Sequence, residues 1–271
     1  MPPSERYAAA RAEGFVLAQG ALELGAKAIS GLRRDASADA RPGRRLRGTA
    51  QLATAAGLEY AGMGRVVAPG DATRIAEAHA ELGASRVSLH VGTGFESDQD
   101  ADALLDEIEA AGIRTGVAML VETHRATITQ DPWRTVRLIE RHPGLRLTGD
   151  FSHWYTGVEM VYGDWDAKLG MLEPVFERVE LIHGRIGSPG SIQVDVTAYP
   201  DAPFVEHFRE LWSRTFSRAR GEVVFVPELL SPVNYYAPAR DGVEEGDRWL
   251  QALALRDLAV ELAALSSRGT S

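Results

Sequence analysis

Residues 114–153 read RTGVAMLVETHRATITQDPWRTVRLIERHPGLRLTGDFSH, and the spacing inside this stretch decides the fold. An apolar run, Arg114–Glu122, closes on a glutamate; an Asp131-Pro132 pair then opens an amphipathic pattern through Thr135–Arg141; a second apolar run, Leu145–Asp150, closes on an aspartate. Aspartate before proline is a helix start, because the carboxylate caps free amides and proline is preset for the first helical position. Strand, helix and strand at this spacing read as a parallel βαβ unit, since antiparallel neighbours need only a short turn.

The same alternation extends both ways. Glu59–Val67, Arg86–Val91, Val179–His183 and Glu222–Glu228 are further expected strands, with helices at Asp71–Leu82, Gln99–Ala111, Asp166–Arg178, Phe204–Arg218 and Asp247–Leu265. Toward the N-terminus, Ser4–Gly14 reads as a helix and Phe15–Gln19 as a short strand. The basic, turn-rich stretch Arg33–Gly48 (RRDASADARPGRRLRG) reads as a loop, so residues 1–50 form an irregular N-terminal part. A chain of 271 residues has the size of one (β/α)8 TIM barrel, and no composition shift divides it, so a single domain over 1–271 is expected. The strand count reaches seven where eight close a barrel, which leaves closure open.

Composition narrows the chemistry. With 29 basic and 38 acidic side chains the net charge is −9, which argues against a nucleic-acid partner, because phosphate binding relies on a positive field. The absence of cysteine excludes disulfides, zinc–thiolate sites and thiol nucleophiles. No apolar run reaches the ~18 residues of a membrane span, and the first residues lack the apolar core of a signal peptide. A cytoplasmic protein without a membrane partner is the expectation.

Four side chains stand where expected strands run out: Glu122 after GVAMLV, Asp150 after LRLTG, His183 after ELI and Glu228 after VVFVP. In a (β/α)8 barrel the C-terminal strand ends converge on one pocket. Three carboxylates and an imidazole make a hard, oxygen-rich set suited to Mn²⁺, Mg²⁺, Co²⁺ or Zn²⁺. A single acid at a strand end is more often a helix cap or surface charge, and the pattern alone leaves both readings standing. Period-two geometry adds His124 to the side of Glu122, and Arg185 to that of His183. His153 lies three residues past Asp150, and His90 ends the strand RVSLH at the same rim. His79, His142 and His207 read as surface residues of helices, and Trp133, Trp154 and Trp212 as packing residues. Gly92 and Gly94 of HVGTG give a weak phosphate-cradle signal.

The segments VETHRATITQDPWRT, LTGDFSHW, IHGRIGSPGSIQV and VPELLSPVNYY resemble successive signatures of the xylose-isomerase-like barrel proteins, often called sugar phosphate isomerases/epimerases. The resemblance spans about residues 50–255 and rests on the ordered series E-x-H-R, D-x-S-H, H-x-R and P-E. It implies one divalent metal ion held by Glu122, Asp150, His183 and Glu228, with His153 and Arg185 contacting a small sugar-like substrate; His124 and His90, placed at the rim by strand geometry, complete the expected substrate-binding set. It also implies that Glu122 and Glu228 are the catalytic pair of an isomerase or epimerase. One removes a proton beside the carbonyl and the other returns it, while the metal stabilises the enediolate.

Two departures stand out. Ketose epimerases of the family carry a glutamate six residues after the first ligand, where this chain has Ile128. RAEGFVLAQG resembles the segment joining the first helix to the second strand, so the first barrel strand is expected to be absent or altered.

Other readings share the scaffold: a lyase or hydrolase, such as a dehydratase or C-glycoside-cleaving enzyme; an abasic-site endonuclease; or a non-catalytic barrel. The endonuclease needs three zinc ions and extra histidines. His90 and His153 could supply part of that set, but GRIGSPGSIQVDVTAYP after His183 has none. A homodimer would fit the class and could cover an incomplete wall.

Overall fold

The computed structural model describes residues 3–15, 17–22, 42–230, 239–240, 243–244 and 246–268. The chain folds as two compact units, Met1–Val121 and Glu122–Ser271.

The first unit runs α1 (Pro3–Ala12), β1 (Leu17–Leu22), α2 (Pro42–Ala55), β2 (Glu59–Val66), α3 (Asp71–Ala80), β3 (Arg86–Val91), α4 (Asp98–Thr115) and most of β4 (Ala118–Glu122). Its strands pair in parallel in chain order, β1 with β2, β2 with β3 and β3 with β4. Parallel strands covered by helices are buried on both faces, and Val87, Leu89 and Val91 of β3 are fully buried. The strand expected at Phe15–Gln19 lies at Leu17–Leu22, and Val16 falls outside the described residues. Arg114 and Thr115, expected to open a strand, instead close α4, which Gly116 ends at φ 71°. Glycine takes that left-handed conformation without the steric cost of a Cβ.

Pro42–Gly48, expected as loop, is the first half of α2. Proline in the first turn and the leucine, alanine and arginine that follow are all compatible with a helix, which then packs Ala50 and Ala53 against Leu58, Tyr60 and Ala84. The remainder of the basic stretch, through Arg41, lies outside the described residues. The glycines of HVGTG do turn the chain, but Glu96 accepts the amides of Thr93 (2.7 Å) and Gly94 (2.8 Å). The anion for that turn is supplied by the chain itself, so no phosphate is called for there.

His79 corrects another expectation. It is fully buried: Tyr60 Oη lies 3.3 Å from its Nδ1, and Nε2 lies 3.3 Å from the carbonyl of Met63. It shows that a histidine in an amphipathic helix can face inward when a tyrosine and a carbonyl satisfy its nitrogens. Its ring occupies the space a side chain at residue 62 would need, since a Cβ on Gly62 would come within 2.5 Å of His79 Nδ1.

The second unit begins at the last residue of β4. It continues α5 (Pro132–Arg141), β5 (Leu147–Gly149), α6 (Phe151–Gly157), α7 (Trp165–Phe176), β6 (Val179–Gly184), α8 (Pro203–Arg218) and β7 (Val224–Pro227). A β8–β9 hairpin (Ala239–Arg240, Val243–Glu244) and α9 (Arg248–Arg268) follow. Strands β5, β6 and β7 pair in parallel, and Thr123, just past β4, donates its N–H to the carbonyl of Thr148 in β5 (3.0 Å). Asp131 caps α5 through the amide of Arg134 (2.7 Å), as its place before Pro132 dictates. Trp154 and Trp212 are fully buried packing residues; Trp133, 61% exposed, is not, and carries the Arg137 guanidinium over its ring at 5.3 Å.

Gly62→Ala should destabilise the fold by about 2 kcal/mol through overpacking against His79, read as a lower urea midpoint at unchanged slope. Burial holds the His79 pKa down, to about 4 from 6.5, despite the Met63 carbonyl. The folded state then favours neutral imidazole, so its contribution is full above pH 6.5 and is lost as pH falls through about 4. A His79→Gln variant should lose less stability than wild type over that window; equal acid sensitivity would contradict the assignment.

Candidate metal centre

The four strand-end residues come together in the second unit. Glu122 is the last residue of β4, Asp150 follows β5, His183 is the penultimate residue of β6 and Glu228 follows β7. Parallel pairing brings these ends level, after a register shift between Leu147 and Thr148: Gly149 lies beside Ile182, and His183 beside Val226. One ligand atom from each lies within 4.8 Å of all the others. His183 Nδ1 is 3.4 Å from Glu122 Oε2 and 3.5 Å from Glu228 Oε2. Gly184 makes the crossing feasible, because the Phe225 ring of β7 occupies the place its Cβ would take, 2.1 Å away.

Arg185 is buried in the same cluster, although β6 ends one residue earlier. It pairs with Asp150 Oδ2 through Nη2, which also lies 3.3 Å from Glu228 Oε2; Nε donates to Ser152 Oγ at 3.0 Å. Nη2 also lies 3.2 Å from His153 Nε2. His153 sits in α6, its Nε2 3.4 Å from Asp150 Oδ2, and its ring lies against that of His124, centroids 3.8 Å apart and planes tilted by 45°. His124 thus joins the cluster through His153. His90 lies in the first unit, half-buried on β3, where Arg65 Nη2 donates to its Nδ1 at 3.2 Å.

Asp150 is a helix cap and also a member of the cluster. Its Oδ1 caps α6 by accepting the Ser152 amide (3.0 Å), while Oδ2 faces Arg185. Threonines of the loop after β4, to which the sequence assigned no role, fix the Glu122 backbone. Thr129 Oγ1 donates to the Glu122 carbonyl and lies 2.9 Å from Thr127 Oγ1, which donates to the His124 carbonyl at 2.6 Å. Trp154 Nε1 donates to the Thr129 carbonyl at 2.8 Å. Ile128, between Thr127 and Thr129, is fully buried.

Three carboxylates in a space this small repel one another unless cations balance them. Burial opposes charge on His183, yet Glu122, Glu228 and Asp150 outweigh it and hold the metal-free imidazole up to about 9. Burial raises the Glu228 carboxyl, against the pull of His183 and Arg185. Glu228 Oε2 is itself buried and accepts no hydrogen bond. A hard donor set with an orphaned carboxylate oxygen, held together in the metal-free state by an imidazolium, fits a divalent cation.

No family model and no curated protein matches this sequence. Solved structures do. The chain is similar to a putative xylose isomerase from Rhodospirillum rubrum, at 16% identity over 96% of this chain and 93% of that one, with a TM-score of 0.63. It is similar to a xylose isomerase-like TIM barrel protein from Mycobacterium smegmatis in complex with magnesium (13% identity, 97% and 90% covered, TM-score 0.58). It is also similar to a D-allulose 3-epimerase from Methylomonas sp. (14% identity, 97% and 91% covered, TM-score 0.55). These likenesses show the fold, a xylose-isomerase-like TIM barrel. Among the described residues it has seven parallel strands. No helix among them is long and apolar enough to cross a membrane.

A metal that displaces the His183 proton should bind more tightly as pH rises toward about 9 and level off above it, since everywhere below that value the imidazole holds the competing proton. Calorimetry of Mn²⁺ binding at pH 7.5 in buffers of different ionisation enthalpy should show about one proton released per ion. Release from His183→Ala, or none from wild type that binds metal, would contradict the arrangement.

Proposed function

We propose that this protein is a divalent-metal-dependent isomerase or epimerase acting on a small sugar or sugar-like metabolite. The observation that carries the reading is the convergence of Glu122, Asp150, His183 and Glu228 within 4.8 Å at consecutive strand ends. The magnesium complex and the D-allulose 3-epimerase among the structurally similar proteins support it.

Glu122, Asp150, His183 and Glu228 would hold the divalent ion, which when bound would supply Lewis-acid polarisation of a substrate carbonyl and so acidify the adjoining C–H. The chain's own part is proton transfer and orientation. Glu122 and Glu228 approach His183 Nδ1 from two different strands, 3.4 and 3.5 Å away, so their carboxylates flank one position. One takes the proton beside the carbonyl and the other returns it. The side chain of Glu228 is 18% exposed and that of Glu122 1%, while Thr129 holds the Glu122 backbone through its carbonyl. Arg185 and His153 offer donors to substrate hydroxyls, and His124 backs the His153 ring. The buried Ile128 presents no polar group, so hydroxyl recognition on this loop falls to His124.

The test is a panel of ketoses and aldoses incubated with Mn²⁺- or Co²⁺-loaded protein in D₂O and followed by NMR. Deuterium should enter at the carbon beside the carbonyl, and Glu122→Gln or Glu228→Gln should slow it at least ~10²-fold. Metal uptake without exchange on any of the sugars, or turnover that incorporates no deuterium, would remove the proton-transfer reading.

A further inference from the structure

Glu228 is the member of the quartet with the least support from its own strand. β7 is four residues long and half-buried throughout, and Pro227 has no N–H to donate. One backbone bond, from the Glu228 amide to the Gly184 carbonyl at 3.2 Å, ties it to β6. The side chain that fixes the segment comes from elsewhere. Gln193, 2% exposed, accepts the Leu230 amide at Oε1 (2.9 Å) and donates Nε2 to the Leu230 carbonyl (3.0 Å). Its amide therefore satisfies both polar groups of a single backbone residue, as the peptides of an adjacent strand would.

The other end of the clamp leads back to the same site. Val194 donates its N–H to the Ile186 carbonyl at 3.0 Å, and Ser191 Oγ donates to the Gln193 carbonyl at 3.0 Å. Ile186 directly follows Arg185, so Gln193 joins the chain that carries His183 and Arg185 to the chain that carries Glu228. The adjoining residues meet the backbone again at Gly246, where a Cβ would come within 1.9 Å of Asp195 Oδ2.

We propose that Gln193 is a positioning residue for Glu228, holding Leu230 so that the carboxylate stays level with His183 and available to a divalent cation. The proposal rests on the metal-centre reading. Leucine at residue 193 keeps the volume and removes both hydrogen bonds, which leaves the Leu230 amide and carbonyl unsatisfied and lets the segment shift.

The experiment is a double-mutant cycle on Co²⁺ affinity, with the Co²⁺ d–d spectrum as a second readout. Gln193→Leu should weaken Co²⁺ binding by roughly 10–100-fold and shift the spectrum toward that of Glu228→Gln. In the Glu228→Gln background the same substitution should change affinity by no more than about twofold, because its target is already gone. Gly62→Ala, which lowers stability in the other unit, should leave Co²⁺ affinity unchanged. Should Gln193→Leu fail to fold, Gln193→Glu keeps the acceptor for the Leu230 amide and should give an intermediate loss. Unchanged affinity in a folded Gln193 variant, or an equal loss in both backgrounds, would overturn the proposal while leaving the metal centre intact. Wild type that takes up no Co²⁺ would overturn both.

Discussion

The second unit depends on keeping three carboxylates together in a space almost closed to water. Glu122 and Asp150 have no significant exposure, and Glu228 little. Buried anions at this separation raise one another's proton affinity, and removing the cation between them leaves a cost of several kcal/mol. Arg185 answers part of that charge, reaching Asp150 and Glu228 with one nitrogen. His183 answers another part by holding a proton while no metal is bound. Most local features of the site follow from this balance: the serine beside Arg185, the histidine pair next to it, and the orphaned oxygen of Glu228.

Backbone geometry makes the balance possible. Parallel strands present their C-terminal ends at one level, so one side chain per strand suffices to build the cluster. The strands are short, and what lies beyond them is held by side chains. Threonines fix the loop after β4, the Asp150 cap fixes the turn after β5, and Gln193 fixes the residues after β7. Each device spends a buried polar group on holding backbone, which is stable only where every such group finds a partner.

How much of this was legible in the sequence follows from the range of each interaction. Apolar runs closing on Glu122, Asp150, His183 and Glu228 are local signals, and the parallel units and the quartet could be read from them. His124 and Arg185 were placed by strand periodicity, yet β4 and β6 end before either residue. They reach the cluster through His153 and Asp150, contacts that periodicity does not describe. The inward turn of His79, the helix at Pro42–Ala55 and the exposure of Trp133 depend on what packs opposite them. Gln193 lies within the quoted segment IHGRIGSPGSIQV, but its role could not be read there, since a glutamine in a loop acquires meaning only from a backbone residue 37 positions away.

Under the proposed metal reading, His183 would also limit which ions the centre holds. The nitrogen that faces both glutamates is the one that must lose its proton before it can donate a lone pair. A metal therefore competes with a proton that three carboxylates hold up to about 9. Weakly imidazole-binding ions such as Mg²⁺ gain least from the exchange, and Mn²⁺, Co²⁺ and Zn²⁺ gain progressively more up the stability order. The surrounding oxygens pull the other way, since a carboxylate-rich site suits the harder ions. Charge alone does not choose among them. The choice falls to how rigidly the glutamates are held, because a site that can relax takes larger and softer ions, and a fixed one rejects them.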